Sequence, residues 1–241
     1  MPIDADRRMV LTKSAQFGLM AVASCIPLVG YAEEQKSGEK EPEITATEDL
    51  MREHGVIRRA LLVYAETVPR LRQNAASVDA SALRQTAQLF RTFGEDYHEH
   101  MLEEEHIFPL IRKQGSKLQT YADVLTAQHQ RGREVTDYIL AVTSNGKVSS
   151  AHAEPLAKVF ETFVLMYQNH AAREDTIVFP AWKKNYTDKQ LDEISDQFED
   201  IEHKMFGKDG FDDAEKKISQ IEERLGFSDL AQFTPPPPPK P

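Results

Sequence analysis

Between Val159 and Trp182 the residues Phe160, Phe163, Tyr167, His170, Glu174, Ile177 and Ala181 recur at alternating spacings of three and four. That is the period of a helix with one buried stripe. It puts a histidine and a carboxylate, one turn apart, where a core residue belongs. A carboxylate taken out of water is costly unless it is paired, so His170 and Glu174 must be satisfied by other side chains or by a metal ion.

Composition narrows the options. A chain of 241 residues, 40% hydrophobic and 28% charged, fits one main globular domain with tails. Its formal charge of -10 excludes a general binder of nucleic-acid backbones, which needs clustered Lys and Arg to displace counterions. The only cysteine, Cys25, lies in an N-terminal apolar segment. A chain processed after that segment has no thiol, so disulfides and thiolate-held zinc or iron-sulfur clusters are excluded, and a metal must be held by nitrogen and oxygen.

Residues 1 to about 32 read as an export signal. Arg7-Arg8 precedes an apolar run, Phe17 to Gly30, too short to span a bilayer easily, and Gly30-Tyr31-Ala32 offers small residues for cleavage. The arginine pair resembles a twin-arginine signal, which implies a periplasmic protein with no stable membrane span in the mature chain. Lipid anchoring at Cys25, in Val22-Ala23-Ser24-Cys25, is the alternative.

Residues 33–44 are a polar linker. Thr45-Ala46-Thr47-Glu48 is a capping box opening a helix whose inner face is Thr47, Leu50, His54, Ile57, Leu61, Tyr64, Val68 and Leu71. Asp79 caps a second helix, with Leu83, Ala87, Phe90, Phe93 and Tyr97 inward, running to about Gln114. A third spans Leu118 to Thr143, ended by Asn145-Gly146, and a fourth has Pro155 in its first turn. Four long helices with short connections predict an all-α fold, an up-down-up-down four-helix bundle over residues 45–184. Two additional C-terminal helices follow over 187–226, the first opened by Thr187-Asp188-Lys189-Gln190, and residues 227–241 form a proline-rich, disordered tail.

Each bundle helix carries histidine on or beside its inner face: His54, then His98 and His100, then His129, then His170. Acidic residues join them on the second and fourth helices, an arrangement that bundles use to hold metals. These two helices look like copies of one element. Tyr97-His98-Glu99-His100-Met101-Leu102-Glu103-Glu104-Glu105-His106-Ile107-Phe108-Pro109 parallels the stretch from Tyr167 through His170 and Glu174 to Phe179-Pro180. His106, His152 and His203 match no pattern and are read as exposed or locally hydrogen bonded. Glu103-Glu104-Glu105-His106 has the Glu-x-x-His spacing of ferritin-like proteins, but neither the third nor the fourth helix supplies the second copy.

The combined pattern, over about residues 46 to 184, resembles the hemerythrin-like, or HHE cation-binding, family. The resemblance implies two non-haem iron ions bridged by carboxylates, with His54, His129, His170 and Glu174 among the ligands. On the second helix it leaves two pairs. His100 and Glu104 have the His-x-x-x-Glu spacing, whereas the Phe-Pro register equates Glu103 with Glu174 and makes His98 the partner, five residues earlier. The second pairing is preferred and requires a local π-bulge. Oxygen-carrying members have a further histidine on the third helix where this chain has Arg133, after Gly132. The resemblance then implies an open or water-filled position at one iron and speaks against reversible oxygen carriage, with Arg133 turned to solvent or paired with a bound anion.

Histidine with bridging carboxylates suits iron better than magnesium or calcium, which take all-oxygen shells. The expected function is an exported di-iron protein binding oxygen, nitric oxide or peroxide, or iron itself, for sensing, storage or detoxification. A redox enzyme of peroxidase, nitric oxide reductase or iron oxidase type, served by an unknown redox partner, is the second reading, so enzymatic turnover stays open. A metal-free helical interaction module is the third.

Overall fold

The computed structural model describes residues 44–239. The expected export signal, and the linker up to its last residue, lie outside the described residues. Among the described residues six helices form and there is no strand.

Helix α1 (Ala46–Asn74) starts at the capping box: the Glu48 N–H donates to the Thr45 hydroxyl at 3.4 Å and the Thr45 N–H to the Glu48 carboxylate at 2.9 Å. After a 3-10 turn (Ala75–Ser77), the Asp79 side chain accepts from the Ala82 N–H at 3.0 Å and opens α2. Helix α2 is α-helical over Ala80–Leu89, π-helical over Phe90–Ile107 and α-helical again over Phe108–Ile111. Helix α3 is Ser116–Val142. Helix α4 runs through Ser150–Arg173, a π segment Glu174–Val178, and Phe179–Lys183. It begins after Ser149, so Pro155 lies in its second turn and not, as expected, in its first.

The π segments end alike. The Phe108 N–H donates to the Glu103 carbonyl and the Phe179 N–H to the Glu174 carbonyl, each five residues back. A proline follows each phenylalanine; it has no N–H and its ring crowds the carbonyl four residues earlier. An extra residue in the turn relieves that crowding and advances the inner face by one. Val178 and Trp182 are therefore buried, where a strict helical period predicted Ile177 and Ala181.

Helix α1 packs along α4, α3 lies against both α2 and α4, and the π segment of α2 also meets α1. Their shared core includes an aromatic layer: Tyr64 stacks on Phe160 at 4.6 Å, and Phe90 and Phe163 each lie about edge-on or tilted to Tyr167 at 5.0 and 4.9 Å. Burial of each such ring stabilises by roughly 1.5–3 kcal/mol, and the layer fixes α1, α2 and α4 just beside the histidines. Helices α5 (Asp188–Phe206) and α6 (Gly210–Leu225) cover α1 and α2. Arg59 forks onto Glu222, Glu215 and Ser219 of α6, and Arg52 lies over the Phe211 ring at 4.2 Å. The start of the expected tail is ordered: Phe227 is buried under Arg70, and Leu230–Phe233 make a 3-10 turn. No helix among the described residues is long and apolar enough to cross a membrane.

Candidate metal centre

His54 on α1, His98 and Glu103 on α2, His129 on α3, and His170 and Glu174 on α4 converge in the core, each at most 3% exposed. Nitrogen and carboxylate oxygen atoms of Glu103, His129, His170 and Glu174 that could hold a metal lie within 4.8 Å of one another, as do those of His54, His98 and Glu103. Each carboxylate faces two ways. Glu103 presents Oε1 to His98 Nε2 at 3.5 Å and Oε2 to His129 Nε2 at 3.2 Å. Glu174 presents Oε2 to His54 Nε2 at 3.5 Å and Oε1 to His170 Nε2 at 3.0 Å. The π segment brings this about on α2: with hydrogen bonds closing five residues apart, the wider turn puts His98 and Glu103 on a face that an α-helix would split.

The second-helix alternative falls elsewhere. The His100 side chain is 55% exposed and bonds Glu104 locally at 3.3 Å. Glu104 instead accepts from His129 Nδ1 at 2.8 Å. It is one of four outer acceptors. Asp175 takes His54 Nδ1 at 2.7 Å, Glu53 takes His98 Nδ1 at 2.6 Å, and Gln128 takes His170 Nδ1 at 2.9 Å. With every Nδ1–H committed outward, the Nε2 atoms of all four imidazoles face inward, those of His129 and His170 3.1 Å apart, the arrangement that orients metal-bound imidazoles.

The outer layer repeats. Arg58, one turn after His54, pairs with Asp175, and Arg133, one turn after His129, pairs with Glu104. Phe179 stacks on His54 at 5.5 Å and Phe108 on His129 at 5.4 Å, which gives the Phe-Pro repeat its packing reason. Of these groups, Glu53, Gln128 and the roles of Asp175 and Arg58 were missed in the sequence, although each of the three acceptors adjoins a candidate ligand.

A donor set for a metal shows in the bonds that are missing. Both oxygens of Glu103, both of Glu174, and His98 Nε2 are buried without a hydrogen-bond partner. Each buried polar atom left unpaired costs about 1–3 kcal/mol, more if charged. Concentrating five of them between four imidazoles fits a cation, which takes up the lone pairs together. Electrostatics points the same way. Burial works against the charged form of Glu174, yet His170 and His54 hold its carboxyl well below the usual range. Burial and Glu174 push Glu103 up, and His98 and His129 bring it below its ordinary value. Burial likewise opposes the charged imidazoles, but the surrounding carboxylates raise His98 and His129 well above theirs. Metal ions would compete here with protons.

The hemerythrin HHE cation binding domain matches the chain over residues 45–182. The chain belongs to this family. Two relatives, described as uncharacterized proteins of Mycobacterium bovis and Mycobacterium tuberculosis, are each 41% identical to it over 239 residues, covering 97% of this chain and 92% of theirs. No solved structure matches.

Around this hemerythrin centre lies a buried acidic column that sequence reading did not find. The Tyr167 hydroxyl donates to Glu99, and Thr136 donates to Glu95 Oε1 at 2.6 Å. Gly132 makes room for it, since a Cβ there would sit 2.6 Å from the Tyr167 oxygen. Arg133 is neither turned to solvent nor free for an anion, the two expectations for it. Its side chain is 20% exposed, 2.8 Å from Glu104 and 3.8 Å from Glu99. The remaining histidines are as bland as read: His152 bonds Ser149 at 3.1 Å, His106 packs on Phe198, and His203 is exposed.

Proposed function

We propose that this chain is a non-haem di-iron protein. Helices α1 to α4 form an up-down-up-down bundle, a reading supported by the short connections and by the packing of α1 on α4 and of α3 on both α2 and α4. His54 and His98 would hold one iron and His129 and His170 the other, with Glu103 and Glu174 each turned toward both. The observation that carries this is the two-way presentation of both carboxylates, whose four oxygens have no other partner. His100 and Glu104 are not ligands in this reading. The packed-histidine module is disfavoured by the same unpaired atoms.

Iron at this position supplies redox chemistry and affinity for a small ligand: oxygen, nitric oxide or peroxide. The protein's residues aim the imidazoles, exclude bulk water and keep a proton near the His129–His170 half, on the Tyr167 hydroxyl. Arg133 is engaged with Glu104, so α3 would offer one imidazole, that of His129, to the second iron. Sensing, storage or detoxification of such a molecule is the role this suits. The proton on the Tyr167 hydroxyl favours, as a second reading, a redox enzyme that consumes the ligand. Export to the periplasm by a twin-arginine route is proposed from Arg7-Arg8 and the apolar run behind it.

Iron content together with the ultraviolet-visible spectrum of the reduced protein, before and after each candidate ligand, tests this. About two irons per chain and a lasting spectral change on ligand addition support binding; steady peroxide or nitric oxide consumption supports the enzyme. Iron-free protein with no response to added Fe(II) would overturn both.

A further inference from the structure

The two halves of the centre are built from the same residue types but differ in their outer acceptors. His98 Nδ1 meets a carboxylate, Glu53 Oε2, at 2.6 Å; its counterpart His170 meets an amide oxygen, Gln128 Oε1, at 2.9 Å. The other pair differs in the same sense. Asp175 gives Oδ1 to His54 and its other oxygen, Oδ2, to Arg58. Glu104 gives one oxygen, Oε1, to His129 and Arg133 alike, both at 2.8 Å. An acceptor oxygen shared with a guanidinium draws less on the imidazole proton.

A carboxylate on Nδ1–H makes a stronger, charge-assisted hydrogen bond than an amide does and raises the basicity of the opposite nitrogen. His54 and His98 are thus the better donors at Nε2. Glu103 and Glu174 turn one oxygen to each half, at 3.5 Å from His98 and His54 and at 3.2 and 3.0 Å from His129 and His170, and the outer acceptors are what sets the two pairs of imidazoles apart as donors. Glu99, the further acid near His129, accepts from the Tyr167 hydroxyl and lies 3.8 Å from Arg133, outside the Nδ1 hydrogen bonds of the imidazoles.

We propose that the outer acceptors rank the two metal positions: the position of His54 and His98 fills first and holds its ion, and that of His129 and His170 exchanges. The inference rests on the two-ion reading above and adds to it which position is tight and which residues make it so. Glu53 and Gln128 are its positioning residues. Outer partners of this kind change metal affinity by about 10–100-fold, and that is the expected separation.

The test is calorimetric titration of the metal-free full chain with Co(II) alone, with anomalous diffraction from crystals holding one equivalent of Co(II). Two steps about 10–100-fold apart are expected, with the first cobalt between His54 and His98. Gln128→Glu should bring the steps together by strengthening the second, and Glu53→Gln by weakening the first. Circular dichroism checks the fold of each variant; should Glu53→Gln fail to fold, Gln128→Glu still decides. Two equal sites, a first cobalt between His129 and His170, or steps unmoved in the folded variants overturns the ranking and leaves the two-ion reading standing. Uptake of no cobalt, or of one ion only, overturns the two-ion reading and the ranking with it.

Discussion

Replacing Glu95 by glutamine should change how the stability of the metal-free protein depends on pH. Glu95 is fully buried on α2, with the Thr136 hydroxyl at 2.6 Å and Arg91 Nε at 2.8 Å. Burial, aided by the Glu99 carboxylate one turn on, pushes its pKa up to about 7 from an ordinary 4.5, against the opposing pull of Thr136, Arg91 and Arg133. A raised acid binds its proton more tightly when folded. Its stabilising contribution is therefore fully present below pH 4.5 and is lost as the pH rises through about 7. At about 1.4 kcal/mol for each pH unit, the loss is roughly 3 kcal/mol. Glutamine stays neutral throughout, so the variant should gain about that much relative to wild type between about pH 4.5 and pH 8.5. Any packing defect of the amide adds an offset that does not vary with pH. Urea denaturation of both proteins across this range measures the difference. A constant difference would show that Glu95 is ionised as easily in the folded chain as in the unfolded one, and the buried acidic column would need another account.

Gly132→Ala puts a methyl group 2.6 Å from the Tyr167 oxygen and forces that ring off Glu99. A loss of about 1–3 kcal/mol is expected by chemical denaturation, partly recovered when Tyr167→Phe is added; an unchanged stability would contradict the packing. His98→Ala should remove metal from the first position, whereas His100→Ala should leave metal content unchanged, because His100 points into solvent. Elemental analysis separates the two, and loss in His100→Ala would restore the other pairing on α2. Since carboxylates hold His98 and His129 in the charged form, metal binding should release protons and weaken as the pH falls. Calorimetry in buffers of different ionisation enthalpy reads that release, and identical heats in all buffers would count against it.

Helix content was legible because its signals are local. The capping boxes at Thr45 and Thr187 and the Asp79 cap form as their residue types require, and the inner face of α1 is buried as its period demands. The period failed where the backbone left the α-helix. A five-residue turn at Glu103 and Glu174 cannot be heard in a rhythm of three and four, so Ile177 and Ala181 were placed inward in error. The repeated Phe-Pro carried the missing information, because it counts residues back from a packing contact on His54 and His129 and from a proline that disturbs the helix. Glu53, Gln128 and Glu99 were illegible for a different reason. Acidic and amide side chains are common on solvated helix faces, and only the packing of α1 to α4 shows that these three turn inward.

The most direct test of the account is the iron content of the full chain set beside that of a Glu103→Gln, Glu174→Gln double variant shown to be folded by circular dichroism. If the two carboxylates bridge two ions, the unaltered chain carries about two irons and the double variant loses both. An unaltered chain without iron, or a double variant that keeps its full complement, would contradict it.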